Sequence, residues 1–309
     1  MPSSSKIREV VHGKLVWKDI EKPDEATLER LKDTYGFHEL DLEDCLSKTE
    51  SPKLEEYDDY VFVVFHFPIR NLRTESIDIE SLNVFIGNNY LITLSHGRLK
   101  KLDETFLEME SDRRYRRENF AKGSGYLLYI LMSELFESCF PQLSQIHHFI
   151  REIEGDIFEG KVAKDRLYDI ILVKRQLINL KRAILPHAPI ILQLEHLHTR
   201  FINKKLELYF DDVADKISRA KSLLSSMTDM IETLSDANES LTSHNTNRVM
   251  KILTIFSATL LPLTFITGLY GMNVPLPLEN HSGAFFLVLS GMLGLLVVML
   301  LFFKIKRWL

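Results

Sequence analysis

Cysteine is almost missing from this chain. Cys45 and Cys139 stand alone and far apart. Two distant thiols build neither a disulfide framework nor a zinc-ligand spacing, so both are expected as reduced, buried thiols in a cytosolic compartment. No glycine-rich phosphate loop follows a strand, and no nucleophile motif or zinc signature occurs. These absences leave no enzyme chemistry and no organic cofactor to expect. A basic excess is also lacking. The net charge is −5 at pH 7, which argues against nucleic acid as a partner. The opening MPSSSKIREVVHGKL has no apolar core, so no secretory signal is expected. Histidines cluster at His147-His148, and at His196 and His198 after His187, but histidines adjacent or two apart do not share a helix face and make poor metal pairs with each other there. Acid clusters at 39–44, 55–59 and 211–215 read as solvated faces.

Glycine and proline are both missing from residues 211–261. Nothing there obliges a helix to break. Residues 252–270, ILTIFSATLLPLTFITGLY, carry no charge, and about 20 apolar residues cross a bilayer. One helix from Asp211 to Tyr270 would be a rod on the order of 90 Å long, at about 1.5 Å per residue. Such a rod cannot fold on itself, so it must pack against copies of itself or against the rest of the chain.

Steps of three and four trace one face of the rod: Asp212, Asp215, Arg219, Ser222, Ser226, Asp229, Thr233, Asp236, Ser240, Ser243, Asn247, Met250, Thr254, Ser257, Leu261, Thr264, Gly268. Beside it runs an apolar seam of Val213, Ile217, Ala220, Leu224, Met227, Ile231 and Leu234, then Asn238 and Leu241. In the soluble half a polar stripe is an ordinary solvated face. Inside a membrane, polar residues face a partner helix or a water-filled path. Helix contact and pore lining both remain open at this point.

A second uncharged run covers residues 284–303 and ends in Lys304-Ile305-Lys306-Arg307. Arg248 and Lys251 precede the first run, and the loop between the runs has no basic residue. The positive-inside rule then puts both ends in the cytoplasm and the loop outside. The short loop makes the spans an antiparallel hairpin. Gly283, Gly291 and Gly294 would allow close helix contact in the second span, which lacks a polar stripe and is placed toward lipid.

Residues 1–122 read as an α/β domain with a mainly antiparallel sheet. A strand or hairpin is expected over 10–20 around Gly13. Helices are expected over 23–32 and 39–46. A buried strand over 60–67 is expected to stop at Pro68, and a hairpin is expected from 77–86 through a turn at 87–89 to 90–94. Helical periods dominate afterwards: one helix over 103–119, a long one over 126–159 with a kink at Pro141, and one over 165–185. A further helical piece is interrupted by Pro186 and Pro189. The domain plan is therefore 1–122, long helices over 123–210, the rod over 211–270, a loop over 271–283, a second span over 284–303 and a basic tail over 304–309.

Tyr270-Gly271-Met272-Asn273 ends the first span, just before Pro275 and Pro277. Gly271 frees the backbone to end the helix. Carbonyl oxygens and the Asn273 amide oxygen would then face the axis of a helix bundle. Neutral oxygens suit a hydrated Mg²⁺, which gives up water reluctantly. A helix cap with a tight turn is the plainer account of the same four residues.

The C-terminal MKILTIFSATLLPLTFITGLYGMN, the short loop, the second span and the KIKRWL tail resemble the CorA family of divalent-cation channels. The likeness extends through KLEEYDDYVFVVFHF, SLNVFIGNNYLITL, the Tyr-Leu-Leu-Tyr at 126–129 and YFDDVADKI, and so covers nearly the whole chain. It implies an α+β cytosolic domain, long helices and a two-helix transmembrane hairpin in a funnel-shaped homopentamer, in the plasma membrane, with five rods lining the pore. It implies influx of Mg²⁺, with Co²⁺ or Ni²⁺ besides, selected as the hydrated ion by Gly271, Met272 and Asn273. Asn247, Met250, Leu253, Thr254, Ser257, Leu261, Thr264 and Gly268 would line the pore, with Asp236 in an acidic ring. Intracellular Mg²⁺ bound between subunits at Asp212 would hold the pore shut.

The sequence departs from the family pattern at two places. Asn71 stands where a partner carboxylate for Asp212 is expected, flanked by Arg70 and Arg73; Glu75, Asp78 or Asp211 remain as alternatives. Ser257 puts a hydroxyl in an otherwise hydrophobic constriction. Two other functions stay in view: a proton-coupled Zn²⁺ importer of the same superfamily, and a membrane-tethered coiled-coil scaffold that conducts nothing.

Overall fold

The computed structural model describes residues 5–47, 51–71, 76–159, 163–272, 283–306 and 308. The chain divides into two compact units, Met1–Ser235 and Asp236–Leu309.

The first unit is built on a six-stranded sheet. Strands β1 (Lys6–His12) and β2 (Leu15–Glu21) form the expected hairpin, and Gly13 takes φ 62° in its turn. Strands β3 (Lys53–Glu56), β4 (Tyr60–Arg70), β5 (Ile77–Gly87) and β6 (Tyr90–Ser95) complete the order β1-β2-β6-β5-β4-β3. All pairings are antiparallel except β2 with β6. That single parallel pairing joins the N-terminal hairpin to the rest, and nothing local announces it.

Two helical layers cover the sheet. Helices α1 (Glu25–Tyr35) and α2 (Glu39–Asp44) pack Leu28, Leu31 and Leu42 with Phe62, Val64 and Phe85 on one face. Asp24 caps α1 by accepting from the Thr27 N–H, and Gly36 ends it at φ 72°. On the other face lie α3 (Lys100–Ser111), α4 (Arg113–Phe120), α5 (Ser124–Glu137) and α7 (Ala163–Ile184). Covered on both faces, β4 is apolar without alternation from Val61 to Phe65.

Several sequence expectations need correction. Strand β4 continues through Pro68 to Arg70, because β3 pairs only with Val61–Val64 and leaves the far end of β4 an outer edge. Proline is tolerated on an edge strand, where it breaks no ladder bond. The helix expected over 103–119 is two helices, since the Asp112 carboxylate accepts from Arg114 and Tyr115 N–H groups and starts α4. The long helix expected over 126–159 is likewise two, α5 and α6 (Phe140–Phe158), and Pro141 occupies the first turn of α6 rather than a kink. Pro186 and Pro189 do not interrupt a helix. Pro186 is the N-cap of α8 (His187–His196), and Pro189 sits in its first turn, where no N–H is needed. The cluster at 39–44 is not wholly solvated, because Asp41 is fully buried.

Helix α9 runs from Glu207 to Tyr270, 64 residues, with Pro262 inside it. Within the first unit its seam is buried as the spacing predicts: Val213, Ile217, Ala220, Leu224, Met227, Ile231 and Leu234. Lys216 donates to the Ser133 hydroxyl of α5 at 2.6 Å, and Lys174 of α7 donates to Ser235 at 3.0 Å. The Arg219 guanidinium lies 4.9 Å above the Phe140 ring of α6. Burying the six larger apolar side chains of the seam, at about 1.5–3 kcal/mol each, outweighs the weak helix propensity of the serine- and threonine-rich rod. Both cysteines are buried, and burial pushes the Cys139 thiol up to about 12, so it stays protonated and inert.

Candidate functional site

The second unit holds the last part of α9 and helix α10 (Ala284–Ile305). Both helices are long and apolar enough to cross a membrane. Each has one sheltered face. On α9 it is Ile255, Ala258, Thr259, Pro262, Leu263 and Ile266; on α10 it is Val288, Met292, Leu295, Leu296, Met299 and Phe303. Both sets recur at three- and four-residue steps, as a helix packed along one side requires.

The predicted stripe lies on the open side of α9. Asn247, Met250, Leu253, Thr254, Ser257, Leu261, Thr264 and Gly268 are all exposed, and so is Asp236. A run of exposed apolar residues in this stretch needs lipid or another chain to cover it.

Threonine hydroxyls in the stripe turn back on the helix. Thr254 Oγ1 donates to the Met250 carbonyl at 2.8 Å, and Thr264 Oγ1 donates to the Leu261 carbonyl at 2.9 Å. Their donors are thereby used, while their oxygen lone pairs still face outward as acceptors, which suits a cation or its water shell. Ser257 Oγ makes no hydrogen bond among the described residues. Pro262 sits on the sheltered side, so the carbonyl it leaves without an N–H partner, that of Ala258, is on the side away from the stripe.

Helix α9 ends where the motif begins. Gly271 N–H donates to the Thr267 carbonyl at 3.0 Å, and Met272 N–H to the Leu269 carbonyl at 3.3 Å. A Cβ on Gly271 would lie 3.2 Å from that Thr267 oxygen. The tight turn thus leaves little room for a side chain at this residue. Asn273 and the loop to residue 282 lie outside the described residues. Gly283, Gly291 and Gly294 touch nothing within 4 Å of a notional Cβ. The close contact expected at these glycines is therefore absent within the described chain, and Gly291 and Gly294 lie open on α10.

Asp212, Asp211 and Asp78 sit in the first unit. Asp212 is exposed, with the Lys216 ammonium 3.6 Å away and the Tyr129 hydroxyl donating to it at 3.5 Å. Burial, then the Asp212 charge, raises the Tyr129 phenol, so it remains a donor. Asp211 is exposed too. The Asn71 amide donates to Asp78 at 3.2 Å, and Arg98 Nη1 lies 3.3 Å from the same oxygen. Glu75 and Arg73 lie outside the described residues. Asp212 and Asp78 therefore each have a cation inside their own chain. Among the described residues neither belongs to a three-donor cluster, so one chain alone does not make a resident Mg²⁺ site of them. A different cluster, of Glu195, His196 and Glu207, went unseen in the sequence because its members come from two helices.

Comparison with known proteins covers the same ground. Residues 12–307 match the family model described as CorA-like Mg2+ transporter protein. The chain is 30% identical over 284 residues to the cobalt/magnesium transport protein CorA of Thermotoga maritima, covering 91% of this chain and 80% of that one. It is 21% identical over 295 residues to the zinc transport protein ZntB of Yersinia pestis, covering 95% and 88%. The complete structure of the CorA magnesium transporter from Methanocaldococcus jannaschii superposes with a TM-score of 0.84 at 23% identity, covering 98% of this chain and 94% of that one. That likeness shows the fold, sheet unit, long helix and C-terminal apolar helix together. Since the family match runs from the first hairpin to the last basic residues, the chain belongs to the CorA-like family and is a divalent-cation transporter, not an enzyme.

Proposed function

We propose that this chain forms a homopentameric Mg²⁺ channel in the plasma membrane, with two spans per chain and both termini in the cytoplasm. The observation that carries the reading is the exposed, uncharged stripe from Asn247 to Gly268, ending at Gly271. Five such stripes around an axis would line a path with hydroxyl and amide oxygens. Gly271, Met272 and Asn273 form its outer ring and select Mg²⁺ with its water shell in place. Met250, Leu253, Ser257 and Leu261 form the narrow part, with Asp236 as an acidic ring beyond it.

No fuel is needed. An inside-negative potential of 100 mV is worth about 4.6 kcal/mol for a divalent ion. Co²⁺ and Ni²⁺ pass by the same route. Asp212 donates to an inter-subunit Mg²⁺ that closes the pore when the cytosolic concentration is high.

The test is Mg²⁺ influx into liposomes holding the purified protein. Gly271→Ala and Asn273→Ala are each expected to abolish or strongly reduce it; unchanged influx would remove the filter assignment. A second reading, proton-coupled Zn²⁺ import, is favoured by the similarity to the zinc transport protein. Zn²⁺ flux that exceeds Mg²⁺ flux and follows an imposed pH gradient would replace the first reading with the second. A vesicle that passes neither ion would leave a non-conducting scaffold.

A further inference from the structure

Three side chains that the transport path does not use come together where α8 gives way to α9. Glu195 and His196 close α8, and Glu207 opens α9. One ligand atom from each lies within 4.8 Å of the other two. They are held from behind. Leu194 and Leu206, which directly precede the donors in the two segments, are both buried. The turn between is pinned too. Thr199 N–H donates to the Ile202 carbonyl at 2.8 Å, Ile202 N–H donates to Thr199 Oγ1 at 2.9 Å, and Asn203 Oδ1 accepts from Lys205 N–H at 3.0 Å.

The donors themselves are free. Among the described residues none of the three side chains makes a hydrogen bond or ion pair, although Arg200, Lys204 and Lys205 lie in the same turn. His196 is exposed, and the two glutamates are half-buried. Two carboxylates gathered beside an imidazole without a cation are mutually repulsive, and a bound cation relieves that.

The donor set says which cation. An imidazole suits zinc, cobalt and nickel, whereas Mg²⁺ prefers oxygen ligands and keeps its water. At bonds of about 2.0–2.2 Å, two donors on a tetrahedral ion sit roughly 3.4 Å apart. The three atoms, at most 4.8 Å apart, therefore need to close in by no more than about 1.4 Å, which rotation of the exposed His196 and the half-buried glutamate side chains supplies. A water would take the fourth position.

We propose that Glu195, His196 and Glu207 form a binding site for a divalent transition-metal ion, Zn²⁺, Co²⁺ or Ni²⁺, separate from the permeation stripe. Bound there, the ion clips the last turn of α8 to the first turn of α9. The site does not depend on the pore reading, since its residues lie outside both apolar segments.

The test uses the purified full-length chain in detergent, titrated with Co²⁺ and followed by its visible ligand-field absorption. One equivalent per chain is expected to bind, to be displaced by Zn²⁺, and to resist a large excess of Mg²⁺. His196→Ala and Glu207→Gln should each weaken Co²⁺ at least about tenfold, while His148→Ala, on α6, should not. A parallel thermal melt guards against misfolding: Zn²⁺ should raise the melting temperature of the wild type and of His148→Ala, but not of the other two variants. Wild-type affinity in both His196→Ala and Glu207→Gln, or displacement of Co²⁺ by Mg²⁺ at equal concentration, would overturn the proposal.

Discussion

Lys216 stands one helical turn beyond Asp212 on α9, with its ammonium 3.6 Å from that carboxylate and 3.6 Å from Glu137. The lysine therefore already holds part of the charge that an arriving cation would need. Partly exposed pairs of this kind are worth on the order of 0.2–1 kcal/mol. Lys216→Gln should then lower the internal Mg²⁺ concentration that half-inhibits flux, by about two- to fivefold. Asp212→Ala should raise it. Both are read from Mg²⁺ influx at graded internal Mg²⁺. Shifts in the same direction, or no shift in either, would remove Asp212 from cation sensing.

Gly125 is a second pressure point. A Cβ there would overlap the Phe201 carbonyl and the Leu206 side chain. Gly125→Ala forces α5 away from the turn that leads into α9, at a cost of about 1–3 kcal/mol. Gly155, on α6, meets nothing within 4 Å. Gly155→Ala should stabilise instead, by up to about 1 kcal/mol, through helix propensity alone. Melting temperatures of the two variants moving the same way would contradict this contrast.

How far the sequence could be read depends on the range of each interaction. The seam from Val213 to Leu234 follows from one helical period and is buried where that period puts it, while the stripe from Asn247 to Gly268 is exposed together with its neighbours Ile252, Phe256 and Leu260. The parallel pairing of β2 with β6 joins Val16 to Tyr90 across the whole α1–β5 segment, and no local pattern encodes it. The break at Asp112 was visible only as a capping residue inside a charged run. Asp41 looked like one more surface acid, yet Tyr57 and Tyr60 from a distant segment cover it. Glu195, His196 and Glu207 meet only because a short turn folds back, so residue spacing could not assemble them.

Asp41 has a pH signature. Tyr60 donates to it at 2.9 Å and Tyr57 at 3.2 Å, but burial, with the charge of Glu55, pushes its carboxyl up to about 6 from 3.8. The folded state therefore holds this proton more tightly than the unfolded state does. The contribution is fully present below pH 3.8 and is lost as pH rises through about 6. At about 1.4 kcal/mol per unit it amounts to roughly 1–3 kcal/mol. Asp41→Asn removes it. Between pH 5 and 7.5 the variant should gain melting temperature relative to the wild type, and a constant difference across that range would count against the assignment.

His187 pulls the other way. It is fully buried among Phe65, Phe67 and Phe136, its Nε2 accepting from the His66 N–H at 2.8 Å and its Nδ1 donating to the Ile184 carbonyl at 3.0 Å. Burial lowers its pKa to about 3 from 6.5. The unfolded chain then binds the proton first, so stability is present above pH 6.5 and falls by about 1.4 kcal/mol per unit below it. Between pH 4 and 6 this loss opposes the gain from Asp41, and the wild-type melting temperature should be nearly flat with respect to these two groups. The variants separate them. His187→Gln keeps an acceptor for the His66 N–H and should become more stable as pH falls from 6 to 4, because of the two groups only Asp41 still takes up a proton there. Asp41→Asn should become less stable over the same interval, because of the two groups only His187 then responds to pH. Parallel melting curves for the two variants across pH 4–6 would show that neither group controls the acid response.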